Sequence, residues 1–155
     1  MRLWFARTNM RRAKKGDSRP GARPLPWRLQ HIHIAVDALG NPLRTLLTAG
    51  QVHEVTQAEA LISGFPAQHV IADKGFDSNR FRDHLAERAI AAVIPCNRSR
   101  AQSIPYDPHL YKERHLVECF IGKLKHFRRV ATRYDKTAVA FLAFVSIASI
   151  MVWLR

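Results

Sequence analysis

Residues 31–48 open on a strict alternation. Ile32, Ile34 and Val36 interleave with His31, His33 and Ala35, a period of two that predicts a strand. Leu39-Gly40-Asn41-Pro42 is turn chemistry, and residues 43–48 predict the returning strand of a hairpin. Residues 56–63 predict a short helix, with Thr56 and Glu59 at capping-box spacing and Gly64-Phe65-Pro66 ending it. An apolar run at 69–72 leads into the carboxylate Asp73 and predicts a short strand. Lys74 to Ser78 then reads as a turn, with Asp77 or Ser78 capping a helix to about Arg88 that faces Phe81, Leu85 and Ala89 inward. A second apolar strand follows at 91–95. This strand–helix–strand rhythm predicts an α/β unit with a parallel pair.

The pattern changes on both flanks. Residues 96–108 predict a polar loop carrying Arg98 and Arg100. Beyond it come a helix from 110 to about 130, a break at 133–135 and a last helix over 136–154. The apolar run of that last helix is at the short limit for a bilayer span and contains Ser146 and Ser149. It predicts a helix buried against the sheet, and no membrane partner. Residues 1–30 hold nine Lys and Arg against a single acid, Asp17. Pro20, Pro24 and Pro26 break regular structure there. A short helix within 3–13 and an irregular stretch over 14–29 are expected. The segment is either a basic arm lying on phosphates or a tail, and residue 30 marks the expected domain boundary.

Composition sharpens the choice of partner. The 155 residues include 25 Lys plus Arg and 12 Asp plus Glu, a formal charge of +13. A polyanion, with nucleic acid foremost, is the matching partner. Cys96 and Cys119 stand alone without CxxC spacing, which argues against a disulfide framework or a zinc site and fits a reducing cytoplasm. The first residues are too basic for a signal peptide.

Two places carry candidate chemistry. Tyr111, Arg114, Glu118 and Lys125 recur at offsets of three, four and seven, which on one helix is a single stripe. Glu118 between two cations reads either as an ion pair with Arg114, four residues before it, or as a metal ligand. Asp73, at the end of a core strand and followed by Lys74, is either a turn-capping residue or the rigid half of a divalent-cation site. Two carboxylates beside basic groups suit phosphodiester chemistry, in which hard oxygen ligands hold the ion and cations hold phosphates. His31 and His33 share a strand face but lack a third ligand, and Asp37 sits where a turn residue would.

The four stripe residues fill the pattern Y-x2-R-x3-E-x6-K at every position. With VDALGNPLR at 36–44, VIADKGFDS at 70–78 and YKERHLVECFIGKLKHFRRVATRYDK at 111–136, the chain from about His31 onward resembles bacterial insertion-sequence transposases of the DDE class, specifically the insertion-sequence-five group. The resemblance implies a ribonuclease-H-like α/β core, a mixed sheet with packed helices. It implies DNA transposition, by strand cleavage and then 3′-hydroxyl transfer, with Mg²⁺ or Mn²⁺. Asp73 would be the second acid of the triad and Glu118 the third, both as metal ligands. Tyr111, Arg114 and Lys125, with Lys74, Arg128 and Arg129, would contact insertion-sequence-end and target DNA. A homo-oligomer and a cytoplasmic, nucleoid-associated location follow from the same resemblance.

One departure limits it. The first aspartate of that family lies on a strand before the hairpin, and no such acid precedes His31 here apart from Asp17 in the Gly/Pro-rich stretch. The expectation is therefore an incomplete catalytic domain over 31–155 lacking its first strand, with an exposed sheet edge. Such a chain would be inactive in isolation. It would be a DNA-binding remnant, a regulatory fragment, or one part of a transposase whose upstream frame is a partner or fusion.

Overall fold

The computed structural model describes residues 1–11, 29–49, 53, 55–132, 135 and 137–154, with 4–11, 29, 30 and 49 described at the backbone. The elements are β1 (Arg2–Arg11), β2 (Leu29–Val36), β3 (Pro42–Ala49), α1 (Val55–Ile62), β4 (His69–Ile71), α2 (Asn79–Glu87), β5 (Ala91–Val93), α3 (Pro108–Lys112), α4 (His115–Lys125), α5 (Arg128–Ala131) and α6 (Ala138–Trp153).

The alternation at 31–36 makes β2, and β3 returns antiparallel to it. The turn between them is built by Asp37, whose Oδ1 accepts the Leu39 and Asn41 amides at 2.8 and 2.9 Å. Gly40 sits at φ +81°, a left-handed conformation that favours glycine. Asp37 is thus a turn residue. His33 Nε2 lies 2.8 Å from Thr48 Oγ1 across the hairpin, so it serves the sheet. β4 and β5 form the expected parallel pair.

The expected absence of a first strand is overturned. Residues 2–11 form β1, not a short helix, and β1 is the middle strand of a five-stranded sheet ordered β3-β2-β1-β4-β5. It runs antiparallel to β2, from Trp4↔Val36 to Arg11↔Leu29, and parallel to β4, from Arg2↔His69 to Trp4↔Ile71. Hydrogen-bonding on both sides holds a segment whose own alternation is weak. The sheet therefore crosses the boundary expected at residue 30. The irregular stretch expected over 14–29 lies almost wholly outside the described residues.

Period-two alternation sorts the sheet into two buried faces. Leu3, Ala35, Val70, Ala72 and Ile94 pack with Leu61 and Ile62 of α1, Phe76, and Phe81 and Leu85 of α2. Ile32, Ile34, Val36, Ile71 and Val93 pack with Val117, Phe120 and Leu124 of α4, Val130 of α5, and Phe141 and Val145 of α6. Burying side chains of this size contributes about 1.5–3 kcal/mol each before entropy is counted.

Local signals were honoured unevenly. Ser78 caps α2, accepting the Phe81 amide at 3.2 Å. The helix closes with a bond from Ile90 N to Leu85 O at 2.9 Å and a left-handed Ala89, φ 54°, which turns outward instead of inward. Thr56 is not a cap: α1 starts at Val55, the Thr56 hydroxyl donates to His53 O, and Glu59 pairs with Arg80 at 2.9 Å. The helix expected from 110 to about 130 is three pieces, α3, α4 and α5. α6 buries Phe141, Val145, Ala148 and Ser149 but leaves Ile147 and Ile150 exposed. Among the described residues no helix is long and apolar enough to cross a membrane.

Candidate active site

Asp73 follows β4 and the buried Ala72, at the point where the sheet gives way to a 3-10 turn, Lys74–Phe76. Its backbone carbonyl accepts the Phe76 amide, while its side chain makes no capping bond. The carboxylate is left for tertiary partners. α4 brings the other acid. Its apolar face of Val117, Phe120, Ile121 and Leu124 is buried against the sheet, which fixes the helix and leaves Glu118 exposed in its first turn. There the helix dipole favours a negative charge.

Arg114 joins the two. Its Nη1 lies 2.9 Å from Asp73 Oδ1 and donates to Oδ2 at 3.0 Å, and its Nη2 donates to Glu118 Oε1. Tyr111 donates its hydroxyl to Asp73 Oδ1 at 3.3 Å and places its ring 5.8 Å from the Arg114 guanidinium carbon. Tyr106 meets that ring edge-on at 5.5 Å. Burial raises the Tyr111 pKa, against the lowering effect of Arg114, so the phenol is a neutral donor. α3 ends at Lys112 and Arg114 occupies the position before α4, so Tyr111 and Glu118 are not on one continuous helix. The bonds Arg114 N to Tyr111 O and Val117 N to Arg114 O carry the turn across the break and keep the residues in reach.

The site faces solvent. Side-chain exposure is 24% for Arg114, 37% for Asp73 and 56% for Glu118. An open cleft of about 540 Å³ lies beside Asp73, lined by Lys74, Gly75, Pro95, Asn97 and Tyr111. Lys74 is exposed at its edge. Lys125 is exposed two turns along α4 from Glu118, about 10 Å by helix rise, and Arg128 and Arg129 are exposed on α5. Arg129 stacks over Phe144 at 4.2 Å. The structure therefore gathers Asp73, Lys74, Tyr111, Arg114 and Glu118, and strings Lys125, Arg128 and Arg129 out along the adjoining helices.

Two hard carboxylates are suitable donors for a divalent ion such as Mg²⁺. Among the described residues no third acid joins them. The parallel register of β1 and β4, continued two residues past Trp4↔Ile71, sets Ala6 level with Asp73, and β1 contains no Asp or Glu. Among the described residues no group of three His, Cys, Asp or Glu is placed to hold a metal ion. A guanidinium spans the two acids instead.

Asp77 is the residue that sequence reasoning undervalued. Its side chain is 1% exposed. It accepts from Arg82 Nε at 2.8 Å, from Arg100 Nη2 and Nε at 3.0 and 3.1 Å, and from the Asn97 amide at 2.7 Å. Burial alone would raise its pKa, but the Arg100 bonds, the Asn97 amide and Arg82 outweigh it and hold the carboxyl at about 2. Asp77 thereby ties the 97–100 loop, one wall of the cleft, to the start of α2. The available signal was a second acid four residues after Asp73 with an arginine five residues on; the decisive partner, Arg100, is remote in sequence.

A family model described as a transposase DDE domain matches residues 7–153. A Brucella ovis protein named as a transposase for insertion sequence element IS6501 is 44% identical over 126 residues, covering 80% of this chain and 97% of that protein. A Burkholderia cepacia protein named as a transposase for insertion sequence element IS402 is 36% identical over 132 residues, covering 77% of this chain and 60% of that one. Among solved structures, a chain of the simian T-cell lymphotropic virus intasome superposes with a TM-score of 0.58 at 17% identity, over 97% of this chain and 47% of the other. The catalytic core domain of BIV integrase gives 0.56 at 17% identity, over 96% and 80%. The structural likeness identifies the fold as ribonuclease-H-like, as in retroviral integrase cores.

Proposed function

The chain belongs to the transposase DDE domain family, whose function is DNA transposition and whose members use divalent metal ions, and on that premise we propose that it engages transposon DNA without cleaving it by itself. The observation that carries this reading is the meeting of Asp73 and Glu118 on one guanidinium, beside a central strand β1 that contains no Asp or Glu. The two acids of the proposed hydrolytic site meet on Arg114, and β1, the strand that could present a third, offers none. Asp73 and Glu118 are the groups that would ligate Mg²⁺ or Mn²⁺, which would supply an activated oxygen nucleophile and neutralise phosphate charge.

The chain's own residues supply the DNA-binding part. Lys74 at the cleft edge, with Lys125, Arg128 and Arg129 exposed along α4 and α5, offers cations to DNA phosphates. Tyr111 offers a neutral hydroxyl and orients Asp73. The chain's +13 charge draws DNA at long range.

Binding of a labelled duplex at increasing salt tests the reading. Affinity should fall by roughly 10- to 1000-fold between 50 and 200 mM salt, and Lys125→Ala should reduce the slope of log K against log salt by about 1. Affinity that is flat with salt, or a slope untouched by Lys125→Ala, would contradict it.

A further inference from the structure

We infer that Arg114 is the resident cation of the site, excluding a divalent ion from the Asp73–Glu118 pair until a DNA phosphate draws the guanidinium away. The inference rests on the proposal that these carboxylates are the metal ligands, and it adds how access to them is controlled.

The geometry leaves little room for a second cation. Both oxygens of Asp73 are engaged, Oδ1 by Arg114 and Tyr111 and Oδ2 by Arg114, while Glu118 Oε1 is held by the other guanidinium nitrogen. A planar guanidinium with separate donors can span two acids, which a compact ammonium does less well. The charges point the same way. Two carboxylates already share one arginine, and a divalent ion entering with Arg114 in place would set three positive charges against two negative ones within a few ångströms. A third acid on β1 would shift that balance, but the level position holds Ala6.

The same arginine is also a good phosphate ligand, because phosphate accepts two parallel N–H bonds from a guanidinium. Arg114 is 24% exposed and lies next to the Tyr111 side of the open cleft, so phosphate can reach it. Phosphate takes the arginine and the freed carboxylates take the ion. Reciprocity then requires DNA and metal each to tighten the binding of the other.

Mn²⁺ is the probe, read by paramagnetic broadening of protein NMR signals near the site, first without DNA. Wild-type chain should bind Mn²⁺ at this pair at least tenfold more weakly than Arg114→Gln, and adding Glu118→Gln to that variant should abolish the gain. Arg114→Lys should fall between the two. Duplex DNA should tighten Mn²⁺ binding at the pair in wild type and leave Arg114→Gln little changed. Equal Mn²⁺ affinity of wild type and Arg114→Gln without DNA overturns the inference, as does a gain that survives Glu118→Gln. Should Arg114→Gln fail to fold, wild type decides alone: broadening of the Tyr111 signals at the same Mn²⁺ concentration with and without DNA overturns the inference, and broadening that needs DNA supports it. Loss of DNA binding altogether would sink the functional reading while leaving the DNA-free comparison intact.

Discussion

Four residues apart in sequence, Asp73 and Asp77 sit in clusters of opposite stoichiometry. Asp77 is one acid shared by two arginines and a backbone amide, with 1% of its side chain exposed. Asp73 belongs to two acids shared by one arginine, all partly open to water. The first arrangement satisfies a buried charge and holds a loop. The second leaves negative charge in excess at the mouth of a cleft, which is what a cation-binding site needs and a structural ion pair does not.

If the contrast is right, the two clusters respond differently to losing a member. Asp77→Ala leaves Arg82 and Arg100 without their shared carboxylate and should destabilise the fold by roughly 2–4 kcal/mol in urea unfolding. Arg114→Gln, acting on half-exposed pairs, should change stability by less than about 1 kcal/mol. Comparable losses would erase the distinction between structural and functional clusters.

Acid sharpens it further. The Asp77 carboxyl is held at about 2 against an ordinary 3.8, so its ionised form favours the folded state. That contribution is complete above about pH 4 and is lost as pH falls toward 2. It amounts to on the order of 2 kcal/mol. Asp77→Asn should remove this part of the pH dependence, and an unchanged acid profile in that variant would show that the charge is not what the cluster stabilises.

Legibility in the sequence followed the range of the interactions. The β2–β3 hairpin and the cap of α2 are set by neighbours in sequence, the parallel β4–β5 pair by the strand–helix–strand rhythm that joins them, and each was readable. β1 was not, because residues 2–11 carry several arginines and little alternation; pairing with β2 and β4 on either side makes the strand. The Thr56–Glu59 spacing misled because a hydroxyl inside the first turn can donate to the preceding carbonyl of His53. At the site, the four-residue spacing of Arg114 and Glu118 was legible as an ion pair and as a metal-ligand candidate, and the structure contains the ion pair. That Arg114 also reaches Asp73, 41 positions away, was not legible. It depends on α4 docking across the sheet through Val117 and Phe120.

The central claim is that Asp73 and Glu118 share one arginine and, among the described residues, have no third acid to complete a metal site, and strand nicking tests it most directly. Wild-type chain incubated with Mn²⁺ and supercoiled DNA carrying the element's ends should leave the DNA intact at concentrations where binding is saturated. Nicking by wild type that disappears in Glu118→Gln would contradict the account, because it would require a complete catalytic site around Asp73 and Glu118.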